Sequence, residues 1–390
     1  MSSQESLAGG HEENFGVKIK LLGLGGAGSN TVHRLISSGL YGATAIAANT
    51  DKQHLDTVNA HHKILLGPRT TRDHGAGGNP EVGRLAAEES VEEIKKFLDG
   101  ADLVFIAAGL GGGTGTGAAP VCAKIARELG AIVVGVVTMP FRFEGGIRKR
   151  IALRGLSELQ QHVNTVVVID NNRLLELYPQ YNLKTAFSLA DEVINNMILS
   201  ITESIVKPSL INIDFEDFKT VVSRGRLATL GIGRSSSPNR AEEATFNALQ
   251  SPLFEGSMDL EGVGAAIVHV TGGEDMKLKE ASRPPEIIYE LMGDNGLIVW
   301  GARVDNYYNA TMQVSLILAG LETENYIRDM ANAVQEVGDL FPKREHGNES
   351  QTRREAAEEP ARAQASEVDE LDRIISELGI KRLSGQKASI

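Results

Sequence analysis

Cysteine is nearly absent. Cys122 is the only one in 390 residues, so no internal disulfide can form, and its Ala- and Val-rich setting reads as core packing in a reducing compartment. Aromatic residues make up 5%, with a single tryptophan, Trp300, also expected to be a packing residue. Basic residues are outnumbered, 39 Lys and Arg against 51 Asp and Glu, for a net charge of −12. That balance argues against a general DNA or RNA binder, which would need a basic face offset elsewhere. It is also too modest to demand an extremely saline cytoplasm. The longest apolar runs are strand-sized, so no segment is expected to span a bilayer, and no signal peptide is expected at the start. The length suffices for a substantial core and about two or three domains.

Glycine, by contrast, is abundant: 42 residues, clustered in loops that follow strands. The chain is organised around Gly109-Leu110-Gly111-Gly112-Gly113-Thr114-Gly115-Thr116-Gly117. The apolar run before it, Asp102 to Ala108, reads as a buried strand, and Ala118 to Ala126 after it as a helix. Strand, glycine loop and helix start direct successive N–H groups at an anion, so the loop reads as a phosphate cradle, with hydroxyls added by Thr114 and Thr116. A surface linker would not sit so tightly between a buried strand and an Ala-rich helix. A second strand–turn–helix unit spans Val17 to Ser38, with Gly23, Gly25 and Gly28 in G-x-G-x-x-G spacing. The next strand, Thr44 to Ala48, ends in Asn49-Thr50-Asp51. Alone, this unit suggests a dinucleotide site with Asp51 as the ribose acid. A third loop, Gly75-Ala76-Gly77-Gly78-Asn79-Pro80, leads into a helix expected from Pro80 to about Leu98, capped by Asn79. Its residues leave open both a flexible turn and a ligand loop.

Apolar strands over 131–137 and 165–169 end in polar loops, Thr138 to Arg148 and Asp170 to Arg173. The pattern predicts an α/β fold with a mostly parallel sheet covered on both faces and a ligand at the C-terminal ends of its strands. From Lys184 to about Lys207 one long helix is expected, because Phe187, Ala190, Ile194, Met197, Ile198, Ile201 and Ile205 recur at three and four. Pro208 stops it, making it a spine between domains. Strands over 227–232, 264–270, 297–304 and 312–318, with two helices, predict a small second α/β domain without a glycine cradle. Residues 342–365 read as a linker. Val368, Leu371, Ile374, Ile375 and Leu378 then line one face of a terminal helix that either docks on a partner or packs on its own body.

The segment GGGTGTG at 111–117 resembles the signature loop of tubulin, and GGGTGTGAAP at 111–120 resembles that of FtsZ, a member of the tubulin/FtsZ family. The resemblance extends over about residues 17–325. It implies a cell-division GTPase that polymerises head to tail into protofilaments and hydrolyses GTP to GDP and phosphate at the subunit joint. GTP and Mg²⁺ are the implied cofactors. The resemblance places N–H groups of Gly25, Gly26, Gly111, Gly112, Gly113, Thr114, Gly115 and Thr116 on the triphosphate, and Ala76, Gly77 and Gly78 over its terminal phosphate. Asn30 would reach the base, Glu144 and Arg148 the ribose, and Asn171 the ribose or base. No Walker lysine is present, so charge neutralisation falls to Mg²⁺ and backbone dipoles. A carboxylate at Asp191 can accept from N1 and N2 of guanine, where adenine offers an acceptor at N1. Phe187, one turn earlier, can stack on the ring; from sequence alone a core Phe187 and an exposed Asp191 remain open. Asn212, Asp214 and Asp217 form N-x-D-x-x-D, which resembles the catalytic motif of FtsZ. The long helix carries the chain roughly 30 Å. These acids are therefore expected to orient water on the γ-phosphate of a neighbouring subunit, positioning it more than deprotonating it.

The implied organisation is a disordered arm at 1–15, a GTP-binding domain at 16–183, a connecting helix at 184–208, an α/β domain with the acidic loop at 209–341, a flexible linker at 342–365 and an amphipathic tail at 366–390. Three features depart from the family pattern. Ala47-Ala48 stand where bulkier residues are usual, and Asp170-Asn171-Asn172 replaces Pro-Asn-Asp. The end, Leu371 to Leu378 and then Ile380-Lys381-Arg382-Leu383, resembles archaeal members rather than the bacterial apolar-proline peptide. The implied partners are further copies of the chain and, through the tail, membrane-adaptor or division proteins. Neither nucleic acid nor direct membrane insertion is expected. The implied location is the cytoplasm, at a mid-cell ring near the inner face of the membrane. Two alternatives stand beside this: a tubulin-like GTPase for cell shape, and an NAD-dependent oxidoreductase. The latter would explain Gly23 to Gly28 and Asp51, but not Gly111 to Gly117 or Asn212 to Asp217.

Overall fold

The computed structural model of the chain describes residues 16–177, 183–207, 209–251, 260, 262–294, 296–320 and 328, without the side chains of 174, 175, 177 and 183–193. The expected arm (1–15), linker (342–365) and tail (366–390) lie outside the described residues. Strand and helix alternate from the start: β1 (Ile19–Leu24), α1 (Gly25–Ser37), β2 (Ala43–Asn49), α2 (Lys52–Thr57), β3 (His62–Leu65), α3 (Pro68–Thr71), α4 (Pro80–Glu89), α5 (Val91–Leu98), β4 (Leu103–Gly109), α6 (Thr114–Glu128), β5 (Ile132–Met139), α7 (Gly146–Gln160), β6 (Thr165–Asp170) and α8 (Asn171–Leu177). The long helix α9 (Leu183–Val206) follows. After it come α10 (Phe215–Val222), β7 (Leu227–Ser235), α11 (Arg240–Leu249), β8 (Ala265–Gly272), α12 (Leu278–Met292), β9 (Leu297–Val304) and β10 (Met312–Ala319).

The described strands form one sheet in the order β3-β2-β1-β4-β5-β6-β7-β10-β8-β9. β1 to β6 are parallel to their neighbours. Successive side chains point to opposite faces: in β4, Leu103, Phe105 and Ala107 join a core with α1 and α9, while Val104, Ile106 and Ala108 join one with α4 to α7. Burial on both faces is why these strands are continuous apolar runs. β6 meets β7 through two residue pairs, Val166↔Leu227 and Val167↔Ala228. Beyond that joint β7, β10 and β8 run antiparallel, β9 runs parallel to β8, and a further core lies under α11 and α12. Between β1 and β4 the strand order reverses direction. In such sheets the ligand crevice opens at that point, beyond the C-terminal ends of the strands.

The structure departs from the periodicity in places. α1 begins at Gly25, so the glycine turn is itself the first turn of the helix. The helix expected over Pro80 to Leu98 is two helices, broken at Ser90. There the Ser90 hydroxyl accepts from Gly67 N (2.9 Å), and the Glu89 carboxylate accepts from Arg69 N and Thr70 N (3.0 and 2.9 Å). These contacts with the 67–70 turn fix the bend. α2, β3, α3 and α8 are too short for a period to register. α4 lies directly on α6, because a Cβ on Gly117 would stand 1.9 Å from Pro80 O. This approach seats the loop before α4 beside Gly113. Cys122 is buried in α6, where burial pushes its thiol up to about 12, and half-buried Trp300 packs on the core under α11.

Candidate functional site

At the switch point two helices start with bare N-termini. α1 follows Leu24 and α6 follows Gly113; neither has a side-chain cap or an acid in its first turn. The same chain caps α2 with Asp51, α4 with Asn79 and α10 with Asp214. Uncapped first turns leave N–H groups and the positive ends of two helix dipoles for an anion. Gly111 holds φ +95°, with Arg148 O and Pro140 close to where a Cβ would stand. By contrast, a Cβ on Gly26 or Gly112 would meet nothing within 4 Å. Both residues line a cleft of about 300 Å³, the size of a small-molecule site.

The cleft gathers Gly26, Gly112, Gly113, Thr114, Gly115, Glu144, Arg148 and Asn171 from among the expected residues, and adds Thr138, Met139 and Pro140. The additions end β5, next to β4, so their only sequence signal is their place at a strand's C-terminal end. Asn171 Oδ1 is buried and has no hydrogen-bond partner among the described residues. Its neighbours explain its freedom. Asp170 Oδ1 accepts from Asn172 N and Nδ2 (2.8 and 2.6 Å), and Asn172 Oδ1 accepts from Arg142 N (2.8 Å). Asp170, the departure from the family pattern, thus holds the tip and leaves Asn171 to face the cleft. Glu144 accepts from Phe141 N (2.9 Å) and pairs with Arg148 one turn on, so the one carboxylate lining the cleft is compensated.

Other expected residues stand elsewhere. Gly111 N donates to Thr116 Oγ1 (2.9 Å), and Thr116 is buried. This pair braces the loop from within and engages the Gly111 N–H that the resemblance would put on phosphate. Thr114 Oγ1 lies 2.6 Å from Thr50 Oγ1, tying the cradle to the end of β2. Gly25 and exposed Asn30 lie outside the lining. So do Ala76, Gly77 and Gly78, although Ala76 Cβ is 2.8 Å from where a Cβ on Gly113 would be. Asp51 accepts from His54 N (3.1 Å) as the cap of α2, the work of a structural acid rather than a ribose ligand. Phe187 and Asp191 are one turn apart on α9, with side chains outside the described set.

The acids are not brought to the cleft. Asn212 accepts from Ser209 N (2.8 Å), Asp214 caps α10 by accepting from Glu216 N (2.9 Å), and Asp217 sits in the helix's first turn; all three are exposed. Buried Ile213 and Phe218 anchor the segment. It follows the 24-residue α9, about 36 Å long. None of Asn212, Asp214 and Asp217 lines the cleft. Among the described residues no group of three His, Cys, Asp or Glu could hold a metal.

Residues 18–179 match the model of the Tubulin/FtsZ family GTPase domain, and residues 226–322 that of the FtsZ family C-terminal domain. The chain is 47% identical to cell division protein FtsZ 1 of Methanocaldococcus jannaschii over 306 residues, covering 78% of this chain and 84% of that protein. Against FtsZ 1 of Archaeoglobus fulgidus it is 47% identical over 305 residues, 78% of this chain and 82% of that one. The solved structure of an empty M. jannaschii FtsZ dimer matches with a TM-score of 0.75 at 46% identity, covering 79% of this chain and 89% of that one. CetZ2 of Haloferax volcanii, solved as a GTPγS-bound protofilament, matches with a TM-score of 0.70 at 23% identity over 82% and 99% of the two chains, a likeness of fold. With both domains matched and nearly half of the aligned residues identical, this chain belongs to the FtsZ family of tubulin-like proteins.

Proposed function

We propose that the chain is an FtsZ-type cell-division GTPase that binds GTP in the cleft, assembles head to tail, and hydrolyses GTP only where one subunit's acids meet the next subunit's nucleotide. One observation carries this reading: the acids stand exposed beyond the C-terminal end of α9 and none of them lines the cleft with the bare helix ends. The triphosphate would lie on the N–H groups of the α1 and α6 first turns, entering the space beside Gly26 and Gly112. Asn171 Oδ1 would accept from a ribose hydroxyl or base N–H, Asp191 would select guanine, and Arg148, held by Glu144, would flank the sugar. Mg²⁺ would ride on phosphate oxygens and water, since no acidic cluster is present among the described residues to cage it; it supplies neutralisation of charge on the phosphates. Asn212, Asp214 and Asp217 would orient the attacking water across the joint. In a cell the polymer would form the division ring near the cytoplasmic membrane face, with residues 366–390 meeting an adaptor. No described helix is long and apolar enough to cross a membrane.

The test is the order of the reaction in protein. GTP turnover should rise more steeply than linearly with concentration at low concentration, because pairing precedes chemistry. Strict proportionality down to monomeric protein would mean that a single chain holds a complete site.

A further inference from the structure

The acidic segment is mounted on β9. Ile211 N donates to Ala302 O (3.1 Å) and Ala302 N to Ile211 O (3.0 Å), pinning the chain one residue before Asn212. A Cβ on Gly301 would stand 2.9 Å from Ile211 O and 2.8 Å from Ile213 Cγ1, so the segment lies flat on the strand. The next residue along β9 is Arg303, whose side chain is 9% exposed. Its Nη1 lies 3.2 Å from Glu203 Oε2, on the last turn of α9. Glu203 Oε1 in turn accepts from Lys207 Nζ (2.6 Å), and Lys207 lies over the Tyr41 ring at 5.7 Å. Val206 packs where a Cβ on Gly42 would be, at 2.7 Å. The end of α9 is therefore the place where the cradle-bearing half, through Tyr41 and Gly42, and the acid-bearing half, through Arg303, take hold of the same helical turn.

We infer that Arg303 and Glu203 are positioning residues for hydrolysis: their buried ion pair locks β9, and with it the acidic segment, to the end of α9. The inference rests on the reading of Asn212, Asp214 and Asp217 as the water-orienting groups. Two hydrogen bonds at Ile211 fix the segment to β9, while Ile213 and Phe218 meet α9 only through non-directional apolar packing, so the Arg303–Glu203 pair supplies a directional tie between β9 and α9. Without the pair, β9 and the segment could shift together relative to α9. Arg303 also reaches Asp305 Oδ2 (3.4 Å) and Glu203 also holds Lys207, so the pair is the link through which a charge network spans α9 and β9, and removing either member cuts that link. A shift of about 1 Å in a catalytic group costs up to about 10²-fold in rate, while the cleft, built on β1, β4 and β5, would be untouched.

The experiment uses the full chain as Arg303→Met, Arg303→Lys and Glu203→Gln, with Asp214→Asn in parallel. Three quantities are measured: affinity for a fluorescent GDP analogue, sedimented polymer with GTP, and phosphate release per sedimented subunit. Arg303→Met and Glu203→Gln should bind nucleotide within about two-fold of wild type, while turnover per polymerised subunit falls at least about ten-fold. Arg303→Lys, which keeps a charge on Glu203, should recover most of that loss. Wild-type turnover in both Arg303→Met and Glu203→Gln would overturn the inference. So would a loss of turnover accompanied by an equal loss of nucleotide affinity, which marks a structural role alone. Wild-type turnover in Asp214→Asn as well would instead overturn the assignment of the acidic segment, on which the inference rests.

Discussion

Asp214 has a structural role and, in the proposed mechanism, a chemical one, and substitution can separate them. Its Oδ1 caps α10 by accepting from Glu216 N at 2.9 Å, and in the proposed mechanism its charge orients water on a neighbour's nucleotide. Asparagine is as good a cap as aspartate, so Asp214→Asn should keep the helix and lose the charge, with Tm within about 1 °C of wild type. Asp214→Ala should lose both, costing about 1 kcal/mol for the cap and lowering Tm by about 2–4 °C. Groups that orient or accept the proton of attacking water contribute about 10²–10⁴-fold. Both variants should therefore bind GTP normally, sediment with GTP, and release phosphate at least about 10²-fold more slowly, leaving polymers that persist. Mixing sharpens the test. A subunit blocked at the cradle by Gly112→Phe still carries intact acids and can serve the GTP on an Asp214→Asn neighbour. Because a blocked cradle cannot itself accept a neighbour, the Gly112→Phe subunit can add its acids only to the filled cradle of an Asp214→Asn subunit, and turnover in the mixture should rise above the sum of the two proteins measured apart. Wild-type turnover by Asp214→Asn alone, or no gain above the sum of the parts in co-sedimenting mixtures, would refute the reasoning.

The two central glycines of the cradle should respond differently. Gly112→Phe grows into open space and should abolish nucleotide binding and assembly with little change in Tm. Gly113→Phe must displace Ala76 Cβ at 2.8 Å and Asn79 N at 2.9 Å, and overpacking of that kind should also cost about 1–3 kcal/mol. Equal Tm loss in the two variants would contradict the geometry. Acid should weaken the fold through His269, which burial, with help from Arg303, lowers to about 3. Its neutral form is native, so its contribution is intact above about 6.5 and is lost as pH falls towards about 3. At pH 5.5 it should cost roughly 1.4 kcal/mol relative to pH 8. His269→Phe should remove that part of the pH dependence in urea melts, and an unchanged slope would show that His269 is protonated in the native state.

How much of this is legible in sequence depends on what kind of force places each residue. The glycine loops are legible because a helix start that receives an anion must be free of bulky side chains, and that demand leaves a local mark at Gly23 to Gly28 and at Gly109 to Gly117. α9 is legible because apolar residues recur along it at three and four, and from Ile194 onward Met197, Ile198 and Ile201 are buried. Thr138, Met139 and Pro140 are legible only as the C-terminal end of a strand, since ordinary residues become cleft walls through the pairing of β5 with β4. The Thr50–Thr114 bond joins residues 64 apart, and no local pattern encodes it. The same loop hides a detail. Thr116 reads as a ligand donor, and its hydroxyl oxygen has a second task that the sequence does not announce: it accepts from Gly111 N and braces the loop. The break at Ser90 is invisible for the same reason as the Thr50 contact: its cause is the 67–70 turn, not the helix.

The separation of cradle and acids has an electrostatic logic. A carboxylate about 4 Å from a phosphate oxygen would oppose binding by about 4 kcal/mol at an effective dielectric of 20, or roughly a thousand-fold in affinity. Neither α1 nor α6 has an acid in its first turn, and Glu144, the carboxylate on the cleft's lining, is paired with Arg148. A site complete within one chain would have to accept that repulsion in every bound monomer. In the proposed arrangement the acids arrive with the neighbouring subunit, so the favourable energy of the whole joint offsets their repulsion. Tight binding by the monomer and fast hydrolysis in the polymer then no longer compete for the same residues. It follows that raising the charge at the joint should trade assembly against turnover. Asn212→Asp adds a fourth carboxylate to the segment, beside Asp214, Glu216 and Asp217, without removing its cap or its anchors. It should leave monomer affinity for GTP unchanged and raise the protein concentration needed to assemble, an effect that Mg²⁺ should partly reverse. If Asn212→Asp instead lowers the GTP affinity of the free monomer, the acids already face their own nucleotide, and the separation argued from α9 does not hold.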